Sequence, residues 1–274
     1  MDNKSIKTLI EDKFKKLEHE GWLDHDWYKN LDNDNKIQIQ ECIIKSTSPR
    51  SNKSDESINK DDIELIFNAF SLFHPEETKV LIIGQDPYPE AKKAQGIAFS
   101  CKTGKAHSLT KIFKAVEKYR TSKNREHSYN LLNWATRYKI LLLNTALTFE
   151  KSKMFEGEYK YKKDLSKEKQ KAIEADQQNL QNRHLEIWNN FTVSIIKKLI
   201  AKNSNLVVFL WGNKANKLFK SCPGSEKIKN VFETCHPHKR LRKGEDDKFL
   251  IDAPKHFEKC DNKILVKEKI WQNL

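Results

Sequence analysis

Four short hydrophobic runs along the chain each have the length of a β-strand. They lie at residues 80–83, 140–143, 206–211 and 231–234, and the first three consist almost entirely of Val, Ile, Leu and Phe. Such continuous runs are typical of strands buried on both faces, as in parallel sheets covered by helices. The fourth run is more polar. The pattern predicts a central, mainly parallel sheet of four strands.

The segments between these runs carry hydrophobic residues at helical spacing. Residues 108–119 place them on one face, and Ser108 is the expected N-cap. Residues 185–202 follow the same period, and residues 62–73 predict a helix that ends near Pro75. Alternating strands and helices predict a three-layer α/β/α domain.

The amino-terminal part has a different pattern. Residues 3–18 predict an amphipathic helix, and residues 46–62, rich in Ser, Asn, Asp and Lys, predict a mobile loop. We therefore divide the chain into a helical extension with its loop, residues 1–60, and an α/β domain, residues 61–274. Within that domain, the charged segment 149–183 is expected to be exposed, and either helical or flexible.

Residues that can carry chemistry follow each predicted strand. In chain order they are Asp86, Asn144, Gly212 with Asn213, and His236. In open α/β sheets, ligands bind beyond the carboxyl ends of the strands. The sequence therefore predicts one site in which a carboxylate, an amide, a glycine backbone and an imidazole meet.

The charge balance indicates a polyanionic partner. The chain has 51 Lys and Arg against 38 Asp and Glu, a formal net charge of +13. Such an excess favours phosphate contacts and counterion release. Solubility alone is the alternative explanation.

Composition also disfavours several classes of protein. No hydrophobic stretch approaches the roughly 20 residues that a membrane helix needs, and the charged amino terminus does not resemble a signal peptide. The five cysteines are scattered without a C-x-x-C pair, which disfavours a disulfide framework, a zinc site or an iron–sulfur cluster. We expect reduced thiols, no metal or cofactor, no membrane partner, and a cytoplasmic location, or a nuclear one in a eukaryotic or viral setting.

Four segments carry motifs around these strand ends: VLIIGQDPYPEAKKAQGIAFS, ILLLNTALT, VVFLWGNKANK and CHPHKRLRKG. In this order they resemble the water-activating loop, the uracil-reading strand, the phosphate-contacting segment and the His-Pro DNA-insertion loop of family-1 uracil-DNA glycosylases. The resemblance runs, with gaps, from about Asp62 to the carboxyl terminus. It implies the fold of that family, DNA as the partner, and hydrolysis of an N-glycosidic bond at a flipped-out base.

The chemistry of that reaction matches two of the strand-end residues. Breaking an N-glycosidic bond creates an oxocarbenium-like sugar and a base anion. A carboxylate beside the sugar stabilises the cation and orients water, and Asp86 is the candidate. A donor aimed at the base oxygen stabilises the anion, and the resemblance implies that His236 does so as a neutral donor. Turn residues without a catalytic role are the structural alternative for both.

Four residues are candidates for binding the base. Asn144 offers a donor and an acceptor on one amide, which suits recognition of one pyrimidine edge. The resemblance implies that Phe99 stacks on the base, that Tyr88 blocks its C5 side against thymine, and that Gln85 contacts it through the backbone. Ordinary core packing is the alternative for Phe99.

Further residues are candidates for DNA contacts. Phosphate contacts are predicted for Ser100, Ser108, Gly212 and Asn213. The loop after the fourth strand adds His238, Lys239, Arg240, Leu241 and Arg242. In the family, a side chain of this loop fills the space that the flipped base leaves in the stack. The resemblance assigns this role to Arg240, and the neighbouring Leu241 is the other candidate. A solvated basic loop is the alternative.

The sequence departs from the family pattern in three places. Pro89 stands where a histidine is usual, so a hydrogen-bond partner is missing from the water loop and altered kinetics are expected. His238 and Lys239 replace the usual Ser-Pro. The segment 149–183 is far longer than in the family, and it or the amino-terminal extension is a candidate surface for a protein partner.

Three functions are compatible with the sequence. The leading hypothesis is a monofunctional uracil-DNA glycosylase of base-excision repair. The second is a glycosylase for a modified base in invading phage or viral DNA. Pro89, the altered His-Pro loop and the long segment allow it, but Tyr88 and Asn144 disfavour it. The third is a non-catalytic DNA-binding or scaffold protein, which the joint presence of Asp86, Asn144 and His236 disfavours.

Overall fold

The computed structural model describes residues 3–46, 58–90, 92–120, 127–153, 165–238, 241–242 and 244–274. Its centre is a four-stranded sheet with the order β2-β1-β3-β4, and all three strand pairs are parallel. The strands are β1 (Val80–Gly84), β2 (Ile140–Asn144), β3 (Val207–Trp211) and β4 (Asn230–Thr234). The predicted sheet and the three-layer α/β/α class are confirmed.

Helices cover both faces of this sheet. They are α1 (Asn3–His19), α2 (Asn33–Lys45), α3 (Lys60–Ile66), α4 (His107–Tyr119), α5 (Leu132–Tyr138), α6 (Lys167–Lys202), α7 (Asn213–Ser221), α8 (Lys248–Lys259) and α9 (Ile270–Asn273). Across the described ranges, none is long and hydrophobic enough to cross a membrane. The five cysteines are free thiols.

Two hydrophobic cores lie on opposite faces of the sheet because side chains alternate along each strand. Leu81 and Ile83 point into a core shared with α1, α2, α3, α6 and α7. Val80 and Ile82 point into a second core shared with α4, α5, α8 and α9. Each large side chain buried there contributes about 1.5–3 kcal/mol to folding.

The amino-terminal helices contribute to the same core as the sheet. Phe14 of α1 and Trp22 are completely buried, and the Phe14 ring packs edge-on against Phe67 and Phe191. The predicted division at residue 61 therefore crosses a shared core and stays a prediction about domain organisation. Much of the predicted mobile loop, residues 47–57, lies outside the described residues.

Two predicted helix boundaries are wrong. Helix α4 begins at His107 after Ala106, so Ser108 lies in the first turn and is not the N-cap. The helix predicted over residues 62–73 is shorter: a capping box between Asn59 and Asp62 starts α3, which ends at Ile66. A short 3₁₀ turn follows, where the Ala69 N–H donates to the backbone of a neighbouring segment instead of continuing the helix.

Helix α6 is longer than its hydrophobic period predicts. It starts at Lys167, after Ser166 as N-cap, and spans 36 residues. Its first half is rich in Lys, Glu, Gln and Ala, which are strong helix formers without a hydrophobic stripe. The second half of the segment 149–183 is therefore helical, while residues 154–164 lie outside the described part of the chain.

Candidate active site

The carboxyl ends of the strands open into a cavity of about 180 Å³. The predicted site residues that line it are Gln85, Asp86, Tyr88, Phe99, Ser100, Ser108, Asn144, His236 and His238. The structure thus brings together the carboxylate, the amide and the imidazole that follow three different strands.

Gly84 allows two of these strand ends to lie side by side. It is the last residue of β1 and is paired in register with Asn144 of β2. A Cβ atom on Gly84 would lie 2.5 Å from the Asn144 Oδ1 atom and 3.0 Å from the Ala98 Cβ atom. Sequence analysis did not identify Gly84, although a glycine at the end of a buried strand indicates that another part of the chain or a ligand lies close to the backbone there.

The Asn144 amide is directed to the cavity. The residue is only 7% exposed. Within the described ranges, its side-chain amide forms no hydrogen bond, yet it lines the cavity. A buried amide of this kind has an unused donor and an unused acceptor, which a ligand in the cavity can satisfy.

Asp86 is held by two side-chain amides. Its Oδ2 atom accepts a hydrogen bond of 3.0 Å from Gln181 Nε2, and the Gln85 side chain is a second donor. Burial raises the pKa of Asp86 to about 6, while the two amides and the positive charge of Lys214 act in the opposite direction. The carboxyl is therefore mostly ionised at neutral pH and protonated in mild acid.

His236 lies in this cavity as a neutral imidazole. Burial lowers the pKa of His236 to about 4, and the nearby His238 and Lys111 act in the same direction. Its Nδ1 atom accepts a hydrogen bond of 3.0 Å from the backbone N–H of His238. The neutral ring must then carry its proton on Nε2, which is free to donate to a ligand.

Phe99 and Tyr88 form one supported wall. Phe99 is 8% exposed, and its ring lies 5.4 Å from that of Trp211 and 6.1 Å from that of His236. Its φ angle of 62° is in the left-handed region, which costs energy for a bulky residue. The Tyr88 hydroxyl donates to the Phe99 carbonyl at 2.7 Å and so helps to hold this conformation. Phe99 therefore both packs in the core and lines the cavity.

A second cavity, of about 520 Å³, adjoins the first and shares Gln85, His236 and His238 with it. Gly212 and Asn213 line it at the start of α7. The φ angle of Gly212 is 105°, and a Cβ atom there would lie 3.0 Å from the His236 Cβ atom. The glycine thus lets the β3–α7 turn approach the imidazole.

The two predicted serine contacts differ in their surroundings. Ser108 is half-buried in the first turn of α4 and lines the cavity. Ser100 is 1% exposed, and its hydroxyl accepts hydrogen bonds from the Leu131 N–H, at 2.7 Å, and from Gln95. Ser100 therefore supports the floor of the cavity, and this depth argues against a contact with DNA phosphate.

The loop after β4 is described only in part. His238 is exposed and its ring stacks on His107 at 5.6 Å. Leu241 is 41% exposed, and Arg242 is exposed beside it. Lys239 and Arg240 lie outside the described residues, so the insertion of Arg240 into a base stack stays a prediction.

Gln181, like Gly84, is a residue of the site that sequence analysis missed. It lies on α6, within the segment 149–183, and is separated from Asp86 by 95 positions. A polar residue in a Gln-rich stretch gives no local signal for such a contact. Only the course of the long helix brings it to the cavity.

The chain is similar to several known proteins. A family model described as the uracil DNA glycosylase superfamily matches residues 70–265. A uracil-DNA glycosylase of Francisella philomiragia is 34% identical over 176 residues, covering 63% of this chain and 66% of that protein. One of Francisella tularensis (strain WY96-3418) is 32% identical over 214 residues, covering 75% of this chain and 79% of that protein.

A solved structure shares the fold. The crystal structure of wild-type UNG from Nitratifractor salsuginis superimposes with a TM-score of 0.54, covering 96% of this chain and 94% of that chain. The sequences are 18% identical, so this likeness concerns the fold alone.

Proposed function

Because the chain belongs to the uracil-DNA glycosylase superfamily, we propose that it hydrolyses the N-glycosidic bond of uracil in DNA and leaves an abasic site. The motif resemblance is thereby confirmed at the level of the family. The observation that carries the proposal is the single cavity lined by Asp86, Asn144 and His236. The product is one that base-excision repair in the cytoplasm would process.

The base enters the cavity after it has been flipped out of the duplex. The Asn144 amide then donates to uracil O4 and accepts from N3–H. Cytosine presents the opposite pattern at these two positions, so its binding would leave buried groups unpaired, which costs about 1–3 kcal/mol each. Stacking on the Phe99 ring adds about 1–3 kcal/mol for any base.

Bond cleavage separates charge between the sugar and the base. The bond from the base N1 to the sugar C1′ breaks, and its electron pair leaves with the base. The Nε2–H of His236 donates to the uracil oxygen on which negative charge develops, and the Asp86 carboxylate stabilises the positive sugar. A water oxygen then bonds to C1′ and gives its proton to Asp86, whose pKa of about 6 suits a base at neutral pH.

DNA is held around this cavity by groups that bind phosphate. Asn213 at the start of α7 and Ser108 at the start of α4 supply backbone N–H and side-chain donors. The Gly212 N–H donates to the Thr234 carbonyl at 2.9 Å, so Gly212 contributes only by leaving room for a phosphate beside the turn. The gap left by the flipped base is filled from the loop after β4, by Arg240 or by its neighbour Leu241, which is 41% exposed. No lysine is assigned a covalent role, so the abasic strand is expected to remain intact.

A modified base in foreign DNA is the alternative substrate. A substituent at C5 would approach the Tyr88 ring, which the hydrogen bond to the Phe99 carbonyl holds in place. This wall favours uracil over C5-substituted pyrimidines.

The experiment that tests the proposal compares three DNA duplexes: one with uracil, one with normal bases and one with a C5-modified cytosine. Each is incubated with the protein in EDTA, since no step is assigned to a metal, and then treated with alkali to cleave abasic sites. We expect cleavage of the uracil duplex alone, and only after alkali. Cleavage of the modified duplex alone, or a strict need for a divalent cation, would overturn the proposal.

A further inference from the structure

We propose that Gln181, supplied by helix α6 from the long segment 149–183, is a positioning residue that fixes the Asp86 carboxylate for the attack of water. This inference rests on the proposed function of the cavity. It gives the long segment a role within the active site.

The loop that carries Asp86 has few donors of its own. It reads Asp86-Pro87-Tyr88-Pro89, and prolines have no backbone N–H. The Tyr88 hydroxyl donates to the Phe99 carbonyl and is therefore engaged elsewhere. Within the described ranges, the side chains bonded to the Asp86 carboxylate are those of Gln85 and Gln181. Gln181 is thus the donor that comes from outside the loop.

The face of α6 that carries Gln181 is fixed to the chain leaving β2. Gln177, one turn before Gln181, accepts a hydrogen bond of 3.0 Å from the Ser152 N–H. His184, nearly one turn after it, is bonded through Nδ1 to the Thr148 hydroxyl at 2.8 Å. Residues spaced by three or four positions share one face of a helix. Gln181 therefore lies between two anchored residues.

The bond from Gln181 fixes one oxygen of the Asp86 carboxylate and so sets the orientation of the group. Gln181 Nε2 lies 3.0 Å from Asp86 Oδ2. Because the Gln181 amide is neutral, it orients the Asp86 carboxylate without adding a charge that would make the carboxylate a weaker base. A leucine of similar size at this position would remove the donor and leave burial to raise the Asp86 pKa further.

Other titratable groups surround Asp86 and must be considered in any pH measurement. His236 and His238 line the same cavity, and Lys214 on α7 contributes a positive charge. The Lys214 ammonium donates to Asn182, the residue after Gln181, at 3.3 Å. The substitution tested should therefore change Gln181 alone and leave this neighbouring contact intact.

The test uses the full chain with Gln181→Leu, and Asn179→Ala as the matched control. Asn179 lies two residues away on the same helix and is exposed. The pKa of Asp86 is followed by carboxyl ¹³C NMR, which does not require activity. We expect it to rise in Gln181→Leu, to rise more in Gln181→Glu, and to stay unchanged in Asn179→Ala.

The kinetic readout is uracil release under single turnover across pH. A rise of one pKa unit lowers the ionised fraction of a carboxyl with a pKa near 6 about fivefold at pH 6. We therefore expect a loss of about that size at pH 6, a smaller loss at pH 8, and unchanged affinity for DNA. Rescue at high pH separates positioning from loss of folding, and Gln181→Ala serves as the second variant if the leucine variant does not fold.

An Asp86 pKa and a pH profile that are the same in wild type and Gln181→Leu would overturn this inference while uracil release stands. If the wild type releases no uracil but the NMR shift appears, the proposed function fails and the role of Gln181 in water attack fails with it.

Discussion

The imidazole of His236 is prepared as a donor by its surroundings. The His238 N–H occupies Nδ1, and burial holds the pKa of His236 near 4, so the ring is neutral at working pH with its proton on Nε2. A donor that is already oriented requires no reorganisation when charge develops on the base. The Asn144 amide is also oriented before a base binds, because it is buried beside Gly84 and directed to the cavity.

The choice of base should depend on two side chains. Asn144→Asp should weaken uracil release by at least about 100-fold, because the donor to O4 is lost, and it should favour cytosine. Tyr88→Ala should admit thymine, since it removes the wall at C5. Release of each base from matched oligonucleotides measures both effects.

Tyr88→Phe is the control for the second change. It keeps the ring and removes only the hydroxyl that bonds to the Phe99 carbonyl. We expect thymine to remain excluded. Thymine release by the phenylalanine variant but not by the alanine variant would contradict the steric explanation.

Asp86 should reduce stability as pH rises. The pKa of Asp86 in the folded state is about 6, above the ordinary value of 3.8. The buried carboxylate charge therefore lowers the free energy of unfolding by its full amount above pH 6 and has no effect on it below about pH 4. Asp86→Asn should therefore stabilise the fold at pH 8, by about 3 kcal/mol, and much less at pH 4. Thermal denaturation at the two pH values measures the difference. Equal stabilisation at both pH values would show that the carboxyl charge is not responsible.

At the scale of elements, the sheet and its strand ends could be predicted from sequence. Strands buried on both faces appear as unbroken hydrophobic runs, and parallel strands bring their carboxyl ends to one edge. The pattern of strands alone therefore suffices to place Asp86, Asn144 and His236 in one site.

The position of the first half of α6 could not be predicted from the sequence. This half has no hydrophobic stripe, and its contact with Asp86 joins residues that are 95 positions apart. The N-cap predicted at Ser108 is wrong because α4 begins one residue earlier, after Ala106, which forms no side-chain cap.

The turn from β3 to α7 should be sensitive to any side chain at Gly212. In Gly212→Ala, a Cβ atom would lie 3.0 Å from the His236 Cβ atom and displace the imidazole. We expect uracil release to fall at least about tenfold under single turnover. Gly104→Ala is the matched control, because Gly104 also has a left-handed φ, of 75°, but no atom of the described residues lies within 4 Å of its Cβ position. Equal losses in the two variants would indicate backbone strain alone.

At the scale of the whole molecule, the net charge of +13 should control the affinity for DNA. The binding constant should fall steeply with salt, and neutralising Arg240, Arg242 and Lys243 together should reduce the slope of log K against log salt by about 2–3. Fluorescence anisotropy at several salt concentrations measures this slope.

A triple substitution on α1 is the control for that change. Lys4, Lys7 and Lys15 are exposed, and α1 contributes no residue to either site cavity. Their replacement by glutamine removes the same charge and should leave the slope nearly unchanged. Equal slopes in both triple variants would mean that overall charge, and not the loop, determines DNA binding.

The most direct test of the central claim is the release of free uracil from a duplex that contains one uracil. Mass spectrometry identifies the released base under single turnover in wild type, in Asp86→Asn, and in Asp34→Asn, an exposed carboxylate on α2. The account predicts that wild type and Asp34→Asn release uracil at equal rates, and that Asp86→Asn is slower by at least about 100-fold. Release of a different base by the wild type, or an undiminished rate in Asp86→Asn, would contradict it.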